Sequence, residues 1–233
     1  MKKTALYILI AVGLALFTWG VMLLLITGLL VALVPTLSPV LTSPPWMVPW
    51  GFTVELLTAL GLIRLLSKGD WGRYGFSLRG NLELKKAAVA GLIVTCAING
   101  VARILNLFFP ITGHPSPTIS VLYAVSVYCI FGPITEEIIF RGLTQSYLAM
   151  HLKGSFTLFK WRITFPALIA AILHAGVHIP LLFAGADILS VILIVSANFV
   201  VAVMLGYFRD QTGSLAAPIL IHALYNVIGF IIP

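Results

Sequence analysis

Charge is what this chain has least of. Asp, Glu, Lys and Arg make up 9% of its 233 residues, against about a quarter in an ordinary soluble domain. With 60% hydrophobic residues and a mean hydropathy of +1.09, that deficit excludes a water-soluble globule and implies a polytopic helical membrane protein. Cysteine is nearly as sparse: Cys96 and Cys129 both lie in apolar runs and read as buried thiols, not as a disulfide or a metal pair. There is no internal repeat and no low-complexity linker, so one integral membrane domain over 1–233 is the economical reading. The formal charge of +7 comes from short basic clusters between apolar runs, a membrane-topology pattern, and no nucleic-acid partner is expected.

Apolar runs predict an all-α bundle of about seven spans, at residues 5–34, 48–66, 87–109, 119–150, 165–183, 188–208 and 214–232. The first run follows Met1-Lys2-Lys3 but is longer than a signal-peptide core and has no convincing cleavage site, so it reads as a retained anchor. An uncharged loop holding Pro35, Pro39, Pro44 and Pro45 follows it. The fourth run crosses Pro133, where a kink or a second helix is expected. The amino terminus and the loops after the second, fourth and sixth spans hold nearly all the Lys and Arg, which assigns them to the cytoplasm and leaves the carboxyl terminus outside. Within the second-span loop, Trp71-Gly72-Arg73-Tyr74-Gly75-Phe76 suits a membrane interface.

An ionisable residue inside a span costs roughly 2.5 to 3.5 kcal/mol and therefore reads as functional, with a partner to be named. Glu136, Glu137 and Arg141 stand together in the fourth run. In a helix Glu137 and Arg141 are i, i+4 and can neutralise one another, while Glu136 lies about 100° round from Glu137 and is free to face a cavity. Adjacent acids just after a proline also suit the positive end of a helix dipole. His174 and His178 in the fifth span, and His222 and Asn226 in the seventh, are again i, i+4 pairs. Three polar patches on apolar helices imply a shared, buried polar cavity. Glu55 and Arg103 either pair between the second and third spans, or Arg103 snorkels to the headgroups.

The run Glu136-Glu137-Ile138-Ile139-Phe140-Arg141 resembles the EExxxR motif of the CPBP intramembrane proteases, a family that includes the CAAX prenyl endopeptidases and proteins of bacteriocin processing and immunity. His178 stands where the family's FxxxH histidine is expected, with His174 at the phenylalanine, and His222 with Asn226 resembles its HxxxN motif. The similarity covers 118–230 as a catalytic core, and Tyr74-Gly75-Phe76 is similar to a glycine-centred stretch upstream of it.

The resemblance implies an intramembrane endopeptidase in which Glu136 activates water, because a partly desolvated carboxylate is a stronger base. His178 would orient that water, Arg141 would hold Glu137, and His222 with Asn226 would donate to the oxyanion. No cofactor is expected. Zinc on Glu136, His178 and His222, with or without His174, is the competing reading, although HExxH is absent. The implied partners are membrane lipid and a peptide or lipidated protein substrate, cut near its carboxyl terminus if CAAX-like, and the implied location is the cell membrane of a prokaryote with a cytoplasmic amino terminus. A non-catalytic immunity or scaffold protein on the same fold, and a small proton-coupled transporter, are the rival readings.

Overall fold

The computed structural model describes residues 2–25, 44–77, 81–109 and 120–231. In chain order its helices are α1 (Lys2–Leu23), α2 (Pro44–Ser67), α3 (Asn81–Asn106), α4 (Val121–His151), α5 (Phe165–Gly176), α6 (Ile188–Thr212) and α7 (Ala216–Ile231). Six segments are long and apolar enough to cross a membrane, the fifth being α5 together with the turn that follows it, Phe165–Leu182, and a shorter apolar helix, Ala216–Phe230, completes the set. The chain is an integral, multi-pass membrane protein. Pro35, Pro39 and the turn at 113–117 lie outside the described residues. Pro44 and Pro45 open α2, where a missing N–H costs nothing because first-turn donors have no helical partner.

The loop between α4 and α5 is not irregular: β1 (Ser155–Leu158) and β2 (Trp161–Thr164) form an antiparallel hairpin, with Phe156 opposite Ile163 and Leu158 opposite Trp161. Among the described residues the other regular elements are helical.

At the centre lies α4, packed on α1, α2, α5, α6 and α7, while α3 joins the bundle through α6 and α7. Pro133 neither breaks nor ends it. The helix widens to π geometry over Ala124–Phe131, returns to α over Gly132–Glu137, and widens again over Ile138–Gln145. The N–H of Gly132 reaches the Val127 carbonyl, an i to i−5 bond. The next such bond would run from residue 133 to the Tyr128 carbonyl, and proline has no N–H to make it. Asn226 Nδ2 donates to that carbonyl instead, at 2.7 Å from α7. The orphan made by the proline thus fixes where α7 docks.

The bundle exposes apolar side chains on its outside and buries a set of polar ones within an otherwise apolar interior. Thr144, Gln145 and Ser146 of α4 are buried, while Leu122, Leu107 and Ile104 are exposed. Small residues let α6 close on α4 and α5. A Cβ on Gly206 would sit 2.9 Å from the Ala167 Cβ.

Gly206→Val therefore overpacks the α5–α6 seam and should cost about 1–3 kcal/mol, read as a lower thermal midpoint in detergent. Gly100→Ala in α3, where a Cβ meets nothing within 4 Å, should leave the midpoint in place.

Candidate active site

The small-residue stripe Ala167, Ala170, Ala171, Ala175 buries one face of α5, and His174 lies on the same face, 2% exposed. The helix ends at Gly176. His178 follows in a turn, its N–H on the Ala175 carbonyl at 3.2 Å, and begins a short 3₁₀ turn at Ile179–Leu182. The expected i, i+4 histidine pair on one helix is thus broken: only His174 is helical. Its Nε2 lies 3.3 Å from Oε2 of Glu136. His178 stacks behind it, with ring centroids 6.3 Å apart and planes at 9°. The histidine whose ring nitrogen contacts Glu136 is therefore His174, while His178, at the histidine of the FxxxH pattern, lies behind it with Glu136 among its charged neighbours. The physical reason is the early end of α5, which swings residue 178 off the packed face.

From the other side, α7 brings His222 to the same two acids. Gly213, with φ 65°, ends α6 with its N–H on the Arg209 carbonyl, and Ser214 Oγ accepts the Ala216 N–H, so α7 starts within three residues. The Leu215 N–H then bonds the Gly75 carbonyl at 3.0 Å. Gly75 has φ 90°, and a Cβ there would lie 2.7 Å from Arg209 Nε, so this stretch upstream of the core must be glycine. His222 Nδ1 is 2.9 Å from Glu137 Oε1 and its Nε2 is 3.9 Å from Glu136 Oε2.

Behind them Arg141 is fully buried. Its Nη1 donates to Glu137 Oε1 at 3.1 Å and to Nδ1 of His174, and its Nη2 donates to the Ala202 carbonyl at 2.8 Å. Guanidinium has only donors, so His174 Nδ1 must accept and the ring proton sits on Nε2, aimed at Glu136. Carboxylate only accepts, so His222 Nδ1 donates to Glu137 and its Nε2 presents a lone pair towards Glu136. One Glu136 oxygen therefore faces an N–H on one side and a lone pair on the other. Glu136 is itself partly exposed, unlike the fully buried Glu137 and Arg141.

Glu136, His174 and His222 each offer a ligand atom, all within 4.8 Å of one another. Proximity favours a metal, but the donor chemistry does not. A zinc ligand needs a lone pair on the facing nitrogen, and the far nitrogen of a ligating histidine normally donates to an acceptor. His174 has a donor, Arg141, at its far nitrogen. The set does not fit zinc with Arg141 in place.

Of the two readings open for Glu55 and Arg103, the ion pair is not among the salt bridges of the described residues. α2 runs parallel to α4: Phe52 lies 3.1 Å from where a Gly132 Cβ would be, and Ile63 lies 3.6 Å from the Gly142 equivalent. That register sets the buried Glu55 level with Thr135 and Glu136, and Glu136 is its charged neighbour. A buried acid in a second span was visible in the sequence, but its level was not. The Ala202 and Tyr128 carbonyls were also missed, since no side chain marks them. The place of His174 had a signal, the alanine stripe that ends at it.

A family model described as Rce1-like, type II CAAX prenyl endopeptidase, matches residues 117–228. No curated protein and no solved structure matches the chain.

Arg141→Met leaves Glu137 buried with only His222 for a partner, and should destabilise the fold by about 3–5 kcal/mol in thermal or denaturant unfolding. The double variant Arg141→Met with Glu137→Gln should recover part of that loss, because no unpaired charge is left buried.

Proposed function

Since this chain belongs, through residues 117–228, to the Rce1-like family of type II CAAX prenyl endopeptidases, we propose that it is an intramembrane endopeptidase that cleaves membrane-associated peptides with a glutamate-activated water. The observation that carries this reading is the Glu136 carboxylate set between the His174 and His222 rings in the polar interior of the bundle. Water held at Oε2 of Glu136 gives it a proton as the water oxygen attacks the carbonyl carbon. The carbonyl π pair moves to oxygen. The proton then passes to the nitrogen as the C–N bond breaks, which leaves a carboxylic acid and an amine, and the acid's remaining proton moves on to give carboxylate and ammonium.

His174 Nε2–H keeps the Glu136 carboxylate aimed, and the His222 lone pair accepts the second hydrogen of the water. Oxyanion donation falls to Asn226, which keeps one amide hydrogen beyond the bond to Tyr128. His222 joins it as a donor only when both its nitrogens carry protons. Arg141 and Glu137 position the two rings and do not touch substrate. The proposed chemistry is metal-free, for the reason given by the Arg141 contact with His174. A lipid-modified carboxyl-terminal segment suits a site that opens within the bilayer. The proposed setting is a prokaryotic cell membrane, with the amino terminus on the cytoplasmic, basic side.

Purified protein in proteoliposomes should cleave a fluorogenic farnesylated peptide. Glu136→Gln and His174→Ala should each lower kcat/KM by about 10²–10⁴, and Asn226→Ala by about 10²–10³. His178→Ala should lose less than His174→Ala, and a zinc chelator should leave the rate unchanged. Glu136→Gln protein that cleaves at the parental rate sinks the reading. A parent with no turnover on any peptide would leave a non-catalytic protein on this fold.

A further inference from the structure

The hairpin β1–β2 has two chemically distinct faces. Ser155, Thr157, Arg162 and Thr164 share one, and Arg162 Nε donates to Ser155 Oγ across it at 2.8 Å. Phe156, Leu158, Trp161 and Ile163 share the other. Only the β2 half of that apolar face is used by the protein. Ile163 is buried, and Trp161 stacks on Tyr207 of α6 with ring centroids 5.1 Å apart. The β1 half overhangs. Phe156 is 40% and Leu158 53% exposed, and Phe159 at the tip is 94% exposed.

Three observations say what the overhang meets. First, it is continuous with the bilayer-facing surface: Phe156 lies 6.5 Å from the ring of Phe165, the exposed first residue of α5. Second, the turn is basic. Lys153, Lys160 and Arg162 stand in a stretch with no acidic residue anywhere between Glu137 and Asp187. Third, Phe159 has φ 54°, a left-handed conformation that glycine or asparagine adopts at far lower cost. The two-residue turn between Leu158 and Trp161 takes positive φ at its first position, and a phenylalanine placed there, where glycine is usual, projects its ring away from the protein, 94% exposed. Aromatic groups backed by lysine and arginine match the interface of a membrane with anionic headgroups.

We propose that the hairpin tip is a lipid anchor, which inserts Phe159 and Leu158 among the acyl chains while Lys160 and Lys153 engage anionic headgroups. The anchor is wired to the bundle. Asp210 of α6 accepts from Thr164 Oγ1 at the hairpin base, at 2.7 Å, and from Gln145 Nε2 of α4, at 2.8 Å. The tip therefore sets the depth at which α4 leaves the membrane and α5 re-enters it. This inference requires only the membrane domain and stands apart from the peptidase reading.

The test uses the full chain with Cys96→Ser, the buried Cys129 retained, and a single environment-sensitive fluorophore on Phe159→Cys or, as the opposite-face control, Thr157→Cys. Each is placed in nanodiscs of phosphatidylcholine alone or mixed with phosphatidylglycerol. The label at 159 should be quenched by lipids with brominated chains and shielded from aqueous iodide, and the label at 157 should show the reverse. Phosphatidylglycerol should strengthen the shielding at 159, and Lys160→Gln should reduce that gain about fivefold, the share of one cation at an anionic surface. Equal iodide access at 159 and 157 in both lipids overturns the proposal. So does shielding at 159 that arises only when a peptide is added, which would assign the tip to a peptide. Should the labelled variants fail to fold, amide hydrogen exchange at 159–160 in the parent chain decides instead: slowing by phosphatidylglycerol supports the anchor, and no change overturns it.

Discussion

A guanidinium buried in the middle of a membrane bundle needs acceptors from the bundle, and the two terminal nitrogens of Arg141 find them on three elements at once. Glu137 on its own helix, His174 on α5 and the Ala202 carbonyl on α6 all accept from it. Breaking a buried pair by removing one partner costs about 3–5 kcal/mol, so the three contacts act as a clamp on how the helices sit. The same clamp settles which nitrogen of His174 carries the proton. A residue that never meets substrate thereby decides what the neighbouring carboxylate faces, because a group with donors only forces its partner to accept.

A second constraint comes from Pro133. Its missing N–H frees the Tyr128 carbonyl, and Asn226 claims that carbonyl across the interface between α4 and α7. With Asn226 fixed, His222 one turn earlier is carried onto Glu137. The π stretches either side of Gly132–Glu137 belong to this arrangement. Widened turns open i−5 partners, such as the Thr144 hydroxyl on the Ile139 carbonyl and the Ser146 hydroxyl on the Arg141 carbonyl. The buried hydroxyls of Thr144 and Ser146 are thus satisfied within the helix, and the remaining polar atoms are free to face α5, α6 and α7.

Much of this was legible in residue order. The helical membrane class follows from hydropathy and charge alone, and the Glu137–Arg141 pair follows from i, i+4 spacing, since both depend on contacts within one segment. The hairpin was read only as a polar loop, because four-residue strands carry too little alternation to stand out from a short basic linker. The FxxxH resemblance points to His178, and the contact of His174 with Glu136 depends on where α5 ends. Where that helix ends depends on Gly176, Pro180 and the packing of α5 on α6, and periodicity cannot place such an end to the residue.

What the sequence by itself determined is the class of solvent each segment prefers and the pairs that lie within one helix turn, because those are properties of composition and of a 3.6-residue period. Tertiary structure decided the rest: that His174 meets Glu136, that Glu55 stands level with it, that Asn226 answers Pro133, and that Arg141 reaches a carbonyl on α6. Each of these joins side chains or carbonyls on different helices. Their distances depend on the rotation, tilt and register with which apolar rods pack, and in lipid those are set by small residues and buried polar bonds spread over the whole bundle.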